Sequence, residues 1–236
     1  MTTTTVRMGY YTAYAELLDA PHLLIAGSTG SGKSTLEHSL LYTLTALKTP
    51  KNARLILLDP KRVELRKWAK TRFCAAYRDE PADILRELEK VSDVMESRYK
   101  DMQRRELTLW DGSDIYVVID EFADLMLNKA IEPQLVPIVQ HLVALGRAAK
   151  VHLWCCTQAP NRQVIPANIT IGFTHKICLR CDTAIESRQV ILVPGGESLP
   201  KHGVMILRSP DGLKKVEAVM TPAEKLNERI RFWTEN

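Results

Sequence analysis

The stretch HLLIAGSTGSGKST, residues 22–35, decides the fold. An apolar run meets a loop with three glycines, and a leucine-rich segment follows. Gly27, Gly32, Lys33 and Ser34 satisfy the pattern GxxxxGK[ST]. Small residues let the backbone turn tightly, so that its N–H groups point at one concavity that fits a phosphate. The N-terminal end of the following helix adds positive potential there. A loose glycine–serine loop is the alternative, but that reading requires neither a strand before it nor a helix behind it. The expected phosphate contacts are therefore Gly27, Ser28, Thr29, Gly30, Ser31, Gly32, Lys33, Ser34 and Thr35. Lys33 is expected to reach the outer phosphates, and the Ser34 hydroxyl to ligate magnesium.

Outward from this loop, apolar strands alternate with helical spacing. Leu36, Leu40, Leu41, Leu44 and Leu47 mark one helix. ARLILLDP (53–60), DIYVVIDE (114–121), VHLWCCTQ (151–158) and HKICLR (175–180) read as buried strands. Residues 80–107 read as a long helix that opens at Pro81, with Ile84, Leu85, Leu88, Val91, Val94 and Met95 on one face. Ile131, Leu135, Ile138, Val139, Leu142 and Val143 mark another helix, with Pro137 as its start or a kink. GVMILRS and KKVEAVM bracket PDG as a terminal hairpin, and a short capped helix ends the chain. The expectation is an α/β fold: a mainly parallel sheet with helices on both faces. One domain is expected over 21–221, after a lead-in of 1–20 and before a helix of 222–236.

Composition narrows the class. The 236 residues carry a net charge of +4, too weak to argue for a nucleic-acid partner and enough to exclude a strongly acidic surface. No apolar run approaches the roughly 18 residues of a membrane span, and the first residues lack the apolar core of a leader, so a cytoplasmic location is expected. The five cysteines are scattered and odd in number, which argues against a disulfide framework. The CLRC pair, Cys178 and Cys181, has no second pair at zinc-site spacing.

A phosphate loop that hydrolyses nucleotide needs acids at a neighbouring strand end. DIYVVIDE supplies Asp120 and Glu121. Asp120 is expected to hold the magnesium shell and Glu121 to activate the attacking water. The other reading of the pair is two solvated acids that cap the next helix. Gln158, at the end of VHLWCCTQ, is placed to sense the terminal phosphate, or simply ends a strand.

Taken together, several segments resemble one family. HLLIAGSTGSGKS, LILLDPKRVEL, VVIDEFADLM, GRAAKVHL, CCTQAP, and IESRQVI followed by PGG stand in the order found in FtsK/SpoIIIE motors. The resemblance implies a RecA-like P-loop ATPase core that uses ATP and Mg2+ and pumps double-stranded DNA through a homohexameric ring. It implies that Lys33, Glu121, Arg147 and Gln158 serve catalysis, with Arg147 reaching the neighbouring subunit's nucleotide. A guanidinium suits that role because it spreads transition-state charge. It also implies DNA contacts from Arg188, on the ring's channel side, and from Lys176. The alternatives for Arg147 and Arg188 are ordinary helix-end and solvated-helix charges.

There are departures from the family pattern. Where it has TQRP, this chain has Ala159, and Arg162 is the nearest substitute for the lost phosphate contact. GDM becomes GVM, with Val204. Membrane, linker and winged-helix regions are not expected in a chain of this length. The leading expectation is an ATP-driven DNA translocase serving a mobile element or phage, in transfer, segregation or packaging. A membrane or relaxase-type partner would come from another chain. Protein export by an ATPase of the same superfamily is the second reading, and a nucleotide-switched binding module the third. The basic stretches 61–72 and 98–105 decide nothing, and their Trp68 and Tyr99 are expected to pack on the core.

Overall fold

A computed structural model describes residues 6–7, 14, 17–158, 160, 164–217 and 220–235. In chain order the strands are β1 (Val6–Arg7), β2 (His22–Ala26), β3 (Ala53–Leu58), β4 (Cys74–Arg78), β5 (Asp114–Ile119), β6 (Val151–Thr157), β7 (His175–Cys178), β8 (Val204–Ser209) and β9 (Gly212–Glu217). The helices are α1 (Lys33–Leu47), α2 (Pro81–Arg104), α3 (Phe122–Leu127), α4 (Glu132–Leu145), α5 (Ala167–Gly172), α6 (Ala184–Ile191) and α7 (Ala223–Glu235). Among the described residues, the strands form one sheet in the order β1-β9-β8-β7-β2-β6-β5-β3-β4. All pairs from β7 through β4 are parallel. The β7–β8 and β8–β9 pairs are antiparallel, and β8–β9 is the expected hairpin.

Side chains alternate across each central strand, so one strand feeds two cores. Leu23, Ile25, Leu55, Leu57, Val118, Trp154 and Cys156 face α1 and α7. Leu24, Ile56, Leu58, Val117, Ile119, Leu153 and Cys155 face α2, α3, α4 and α5. Burial on both faces explains why these strands read as nearly continuous apolar runs. The fold is the expected RecA-like arrangement.

Several local readings change. Strand β4 gives little signal in the sequence because CAAYR is an edge strand, mostly half-exposed and paired only with β3. Helix α4 begins at Glu132, with Pro133 in its first turn, and Pro137 lies inside it. Leu47 and Val94 sit at helical spacing but are 53% and 42% exposed, off the buried faces. The two aromatics pack as expected. Trp68 is fully buried, and the Tyr99 ring lies against the α2–α4 core with its hydroxyl donating to Leu145 O at 2.7 Å.

Both ends of the chain join the sheet assembly. β1 pairs with β9, and Tyr14, Leu17 and Leu18 lie in the α1 core. Trp233 of α7 donates to Thr45 O at 2.9 Å, accepts from Arg72 N at 2.8 Å, and meets the Phe73 ring edge-on. Among the described residues, no helix is long and apolar enough to cross a membrane.

Polar burial under the sheet has a measurable consequence. His22, at the start of β2, accepts the Leu153 N–H at its Nδ1 (3.2 Å). Burial, then the charge of His152, pulls its pKa down to about 3. The unfolded chain therefore takes up this proton first, and the stability that depends on a neutral His22 is lost as pH falls from 6.5 toward 3. Replacing His22 by Gln is expected to remove that loss. The stability gap, variant minus wild type, should rise by about 1.4 kcal/mol per pH unit between pH 6.5 and 4.5. Carboxylates that titrate in this range cancel in the difference. Urea unfolding at several pH values checks this, and a gap independent of pH would contradict it.

Candidate active site

The registers bring the strand ends level. Ala26 pairs with Thr157 and Cys178, and Ile119 pairs with Leu58 and Cys155. The residues that follow β2, β3, β5, β6 and β7 therefore gather at one edge of the sheet. In open parallel sheets this carboxyl edge is where ligands bind.

Residues 27–32 form the loop between β2 and α1. Gly30 and Gly32 have φ of 74° and 99°, which residues with a Cβ rarely adopt. Gly32 caps α1 with no side chain on the helix N–H groups, so the first-turn donors face the loop's concavity. Gly27 is required for a different reason. A Cβ there would lie 2.5 Å from Ser31 Oγ and 2.8 Å from Leu179 Cβ. The sequence suggests glycine for phosphate access, but at this position the close neighbour is the turn after β7. That turn anchors the loop, as Ser28 N and Oγ donate to Arg180 O at 2.9 and 3.2 Å.

Lys33 is 8% exposed. Burial draws its pKa down, against the pull of Cys156, Glu121 and Asp120. Asp120 follows β5 and is equally buried, and its N–H donates to Leu58 O. Burial, then Asp59, Glu64 and Glu121, pushes its pKa up to about 6. A divalent cation would relieve that crowding of negative charge. Among the described residues, no three His, Cys, Asp or Glu side chains converge as a metal cage. The fit is to magnesium, held by one or two protein oxygens with phosphate and water completing its shell.

Glu121 is 3% exposed, with backbone at φ 60° and ψ 68°. Its Oε1 accepts from Thr157 Oγ1 at 3.1 Å and from Gln158 N at 3.0 Å. Its Oε2 accepts from Lys61 Nζ at 3.0 Å. Such an anchored carboxylate suits a general base, not a solvated helix cap. The Gln158 side chain accepts from Thr29 Oγ1 at 2.8 Å, which ties the end of β6 to the phosphate loop. Lys61, which the sequence reading assigns no chemistry, belongs to this constellation, and so does Thr157, the other polar residue beside Gln158 at the end of β6. The sequence signal for Lys61 was its position two residues after the β3 aspartate.

A cavity of about 410 Å³ opens beside the loop, lined by Tyr14, Ser31, Leu36, Leu179, His202 and Met220 among others. Among the described residues, the buried Ser31 Oγ has no hydrogen-bond partner there.

The expected arginines are placed elsewhere. Arg147 is exposed in the turn between α4 and β6, at the opposite end of β6 from Gln158. Seven strand residues separate the two, roughly 20 Å, so Arg147 lies far from its own loop. Arg188 is exposed on α6, whose start is fixed by a capping box between Thr183 and Glu186. Lys176 departs from expectation. It is 8% exposed inside the sheet, between β2 and β8 and opposite Arg208, which is no position for a DNA contact. Arg162 and Ala159 lie outside the described residues.

Because the Cβ of an alanine at Gly27 would collide with Ser31 and Leu179, Gly27→Ala is expected to weaken nucleotide binding at least tenfold with the fold retained. Titration with a fluorescent ATP analogue, alongside circular dichroism, checks this. Wild-type affinity would contradict the packing argument.

A sequence profile of the FtsK/SpoIIIE family matches residues 7–114. The chain is 32% identical over 233 residues to the DNA translocase FtsK of Chlorobaculum tepidum, covering 90% of this chain and 29% of that protein. It spans 25 to 33% of the length of the first eight curated relatives it matches. Among solved structures, the pCW3 conjugation coupling protein TcpA superposes with a TM-score of 0.79 at 23% identity, over 92% of this chain and 66% of that one. The cytoplasmic domain of the Thermomonospora curvata Type VII secretion ATPase EccC gives 0.75 at 23%, over 92% and 28%. These two likenesses establish the fold alone. The motif order, the profile and the sequence identity agree: the chain matches the FtsK/SpoIIIE family model over residues 7–114 and is similar to DNA translocases of that name along most of its length.

Proposed function

We propose that the chain is an ATPase that drives movement along double-stranded DNA as a ring, with each nucleotide completed by a neighbouring subunit. The observation that carries the hydrolysis reading is the anchored Glu121 carboxylate, level with the phosphate loop and Asp120. Loop N–H groups and Lys33 would hold the β- and γ-phosphates of ATP. Magnesium, when bound, neutralises charge on those phosphates, with Ser34 and Asp120 as its protein ligands. Glu121 would take the proton from the attacking water, and Gln158, linked to Thr29, would orient around the γ-phosphate. The cavity at Tyr14, Leu36 and Met220 suits the base, through apolar contact.

The ring reading rests on Arg147. The family resemblance assigns it to the neighbour's nucleotide, its exposure and its distance from its own loop are compatible with that role, and an added guanidinium there is worth roughly a thousandfold or more in rate. The closed ring is a homohexamer by family resemblance. The DNA reading rests on the translocase relatives and on the exposed Arg188. Service to a plasmid or phage, with any membrane or relaxase-type partner on another chain, is part of the same proposal.

Steady-state ATP hydrolysis with and without long duplex DNA, at low salt, tests cargo and chemistry together. Duplex DNA should stimulate the wild type severalfold, and Lys33→Ala should abolish turnover. Arg188→Glu should remove the stimulation and leave the basal rate. Hydrolysis indifferent to DNA would turn the search to a polypeptide cargo.

Arg147→Ala is expected to bind ATP normally and hydrolyse it at least a hundredfold more slowly. Mixing it with Glu121→Ala subunits should restore activity, because some interfaces then combine an intact Glu121 with a neighbour's Arg147. No recovery at any mixing ratio would argue against a shared site.

A further inference from the structure

Lys61 stands in the loop after β3, and no role follows for it from the phosphate loop or from the magnesium acid. Its ammonium lies 3.0 Å from Glu121 Oε2. The two donors on Oε1, Thr157 Oγ1 and Gln158 N, are neutral. A carboxylate this deeply buried is costly without a cation, and Lys61 is the cation in salt-bridge contact with it among the described residues.

The loop that delivers Lys61 is braced. Asp59 O accepts from Arg62 N at 3.0 Å, and Asp59 Oδ2 accepts from Leu65 N at 3.0 Å. Trp68 Nε1 donates to His38 Nδ1 at 3.2 Å, which leaves His38 Nε2 to donate to Glu64 Oε2 at 3.2 Å. His38 belongs to α1, the helix that also carries Lys33. Arg62, next to Lys61, has φ 63°, a left-handed backbone that a side chain with Cβ rarely adopts. Glu121 has the same left-handed backbone, at φ 60°. One strained residue, Glu121, is thus a member of the ion pair and the other, Arg62, adjoins it, and hydrogen bonds to α1 brace the loop.

We propose that Lys61 is a positioning residue of the hydrolytic reaction: it fixes the Glu121 carboxylate in the orientation from which Glu121 activates water. This rests on Glu121 being the general base. In this proposal Lys61 acts through Glu121, its salt-bridge partner, and not on the nucleotide or metal. Its loss should therefore slow turnover and leave ATP binding alone.

The test is a double-mutant cycle in single-turnover ATP hydrolysis, using wild type, Lys61→Met, Glu121→Gln and the double variant. Lys61→Met is expected to lower the rate tenfold to a hundredfold, with the KM for ATP changed less than threefold. In the Glu121→Gln background, the same substitution should change nothing further. Lys61→Arg should regain most of the rate, because it restores a cation within reach. Lys61→Met leaves the buried Glu121 carboxylate without its cation, so melting temperature is the control for every variant, and Lys61→Arg, which keeps the charge, carries the comparison if Lys61→Met does not fold at the assay temperature. An unchanged rate in Lys61→Met, a rise in KM alone, an equal loss in the Glu121→Gln background, or no recovery with Arg would each overturn the proposal. If wild type hydrolyses ATP and Glu121→Gln remains as fast, the underlying assignment of Glu121 fails instead, and the proposal falls with it.

Discussion

One carboxylate ties three segments of the chain together. Glu121 leaves β5, accepts from the end of β6 through Thr157 and Gln158, and accepts from the loop after β3 through Lys61. That arrangement works only if β3, β5 and β6 end level, and their registers make them do so. Two cores, one on each side of the sheet, hold the registers. A strand slipped by one residue would turn its apolar side chains to the wrong face, so the same packing that stabilises the sheet also sets the positions of Glu121's donors.

The phosphate loop obeys a second constraint, imposed from the other side. Its glycines look interchangeable but are not. Gly30 and Gly32 serve backbone conformation, while Gly27 leaves room for Leu179 and the Arg180 carbonyl. The turn after β7 is therefore part of the nucleotide site, although none of its side chains needs to touch phosphate. Ser28 is bonded there, and Thr29 is bonded to Gln158 at the end of β6. The loop is thus held by the strands on both sides of β2.

What the sequence could reveal followed its periodicities. The central strands, α1, α2 and the hairpin were legible because burial on one or two faces leaves a pattern with a fixed period. β4 was not, because a half-exposed edge strand has no such pattern. Lys33, Asp120 and Glu121 were legible from motif and strand-end position. Lys61 and Thr157 were visible as residues but not as partners, since a hydrogen bond between segments about 36 or 60 positions apart leaves no local signature. Lys176 shows the reverse failure. A lysine in a strand looks like a surface charge until the packing over its face of the sheet is known, and here Lys176 is buried.

The position of Arg147 gives β6 a mechanical meaning. At one end of this strand Gln158 meets the phosphate loop of its own subunit, and just before the other end stands the arginine proposed for the next subunit. β6 is fully buried, flanked by β2 and β5, and too stiff to absorb a displacement along its length. In a ring it would behave as a push-rod. A change in phosphate occupancy felt at Gln158 would be passed, with little loss, to the adjoining catalytic pocket.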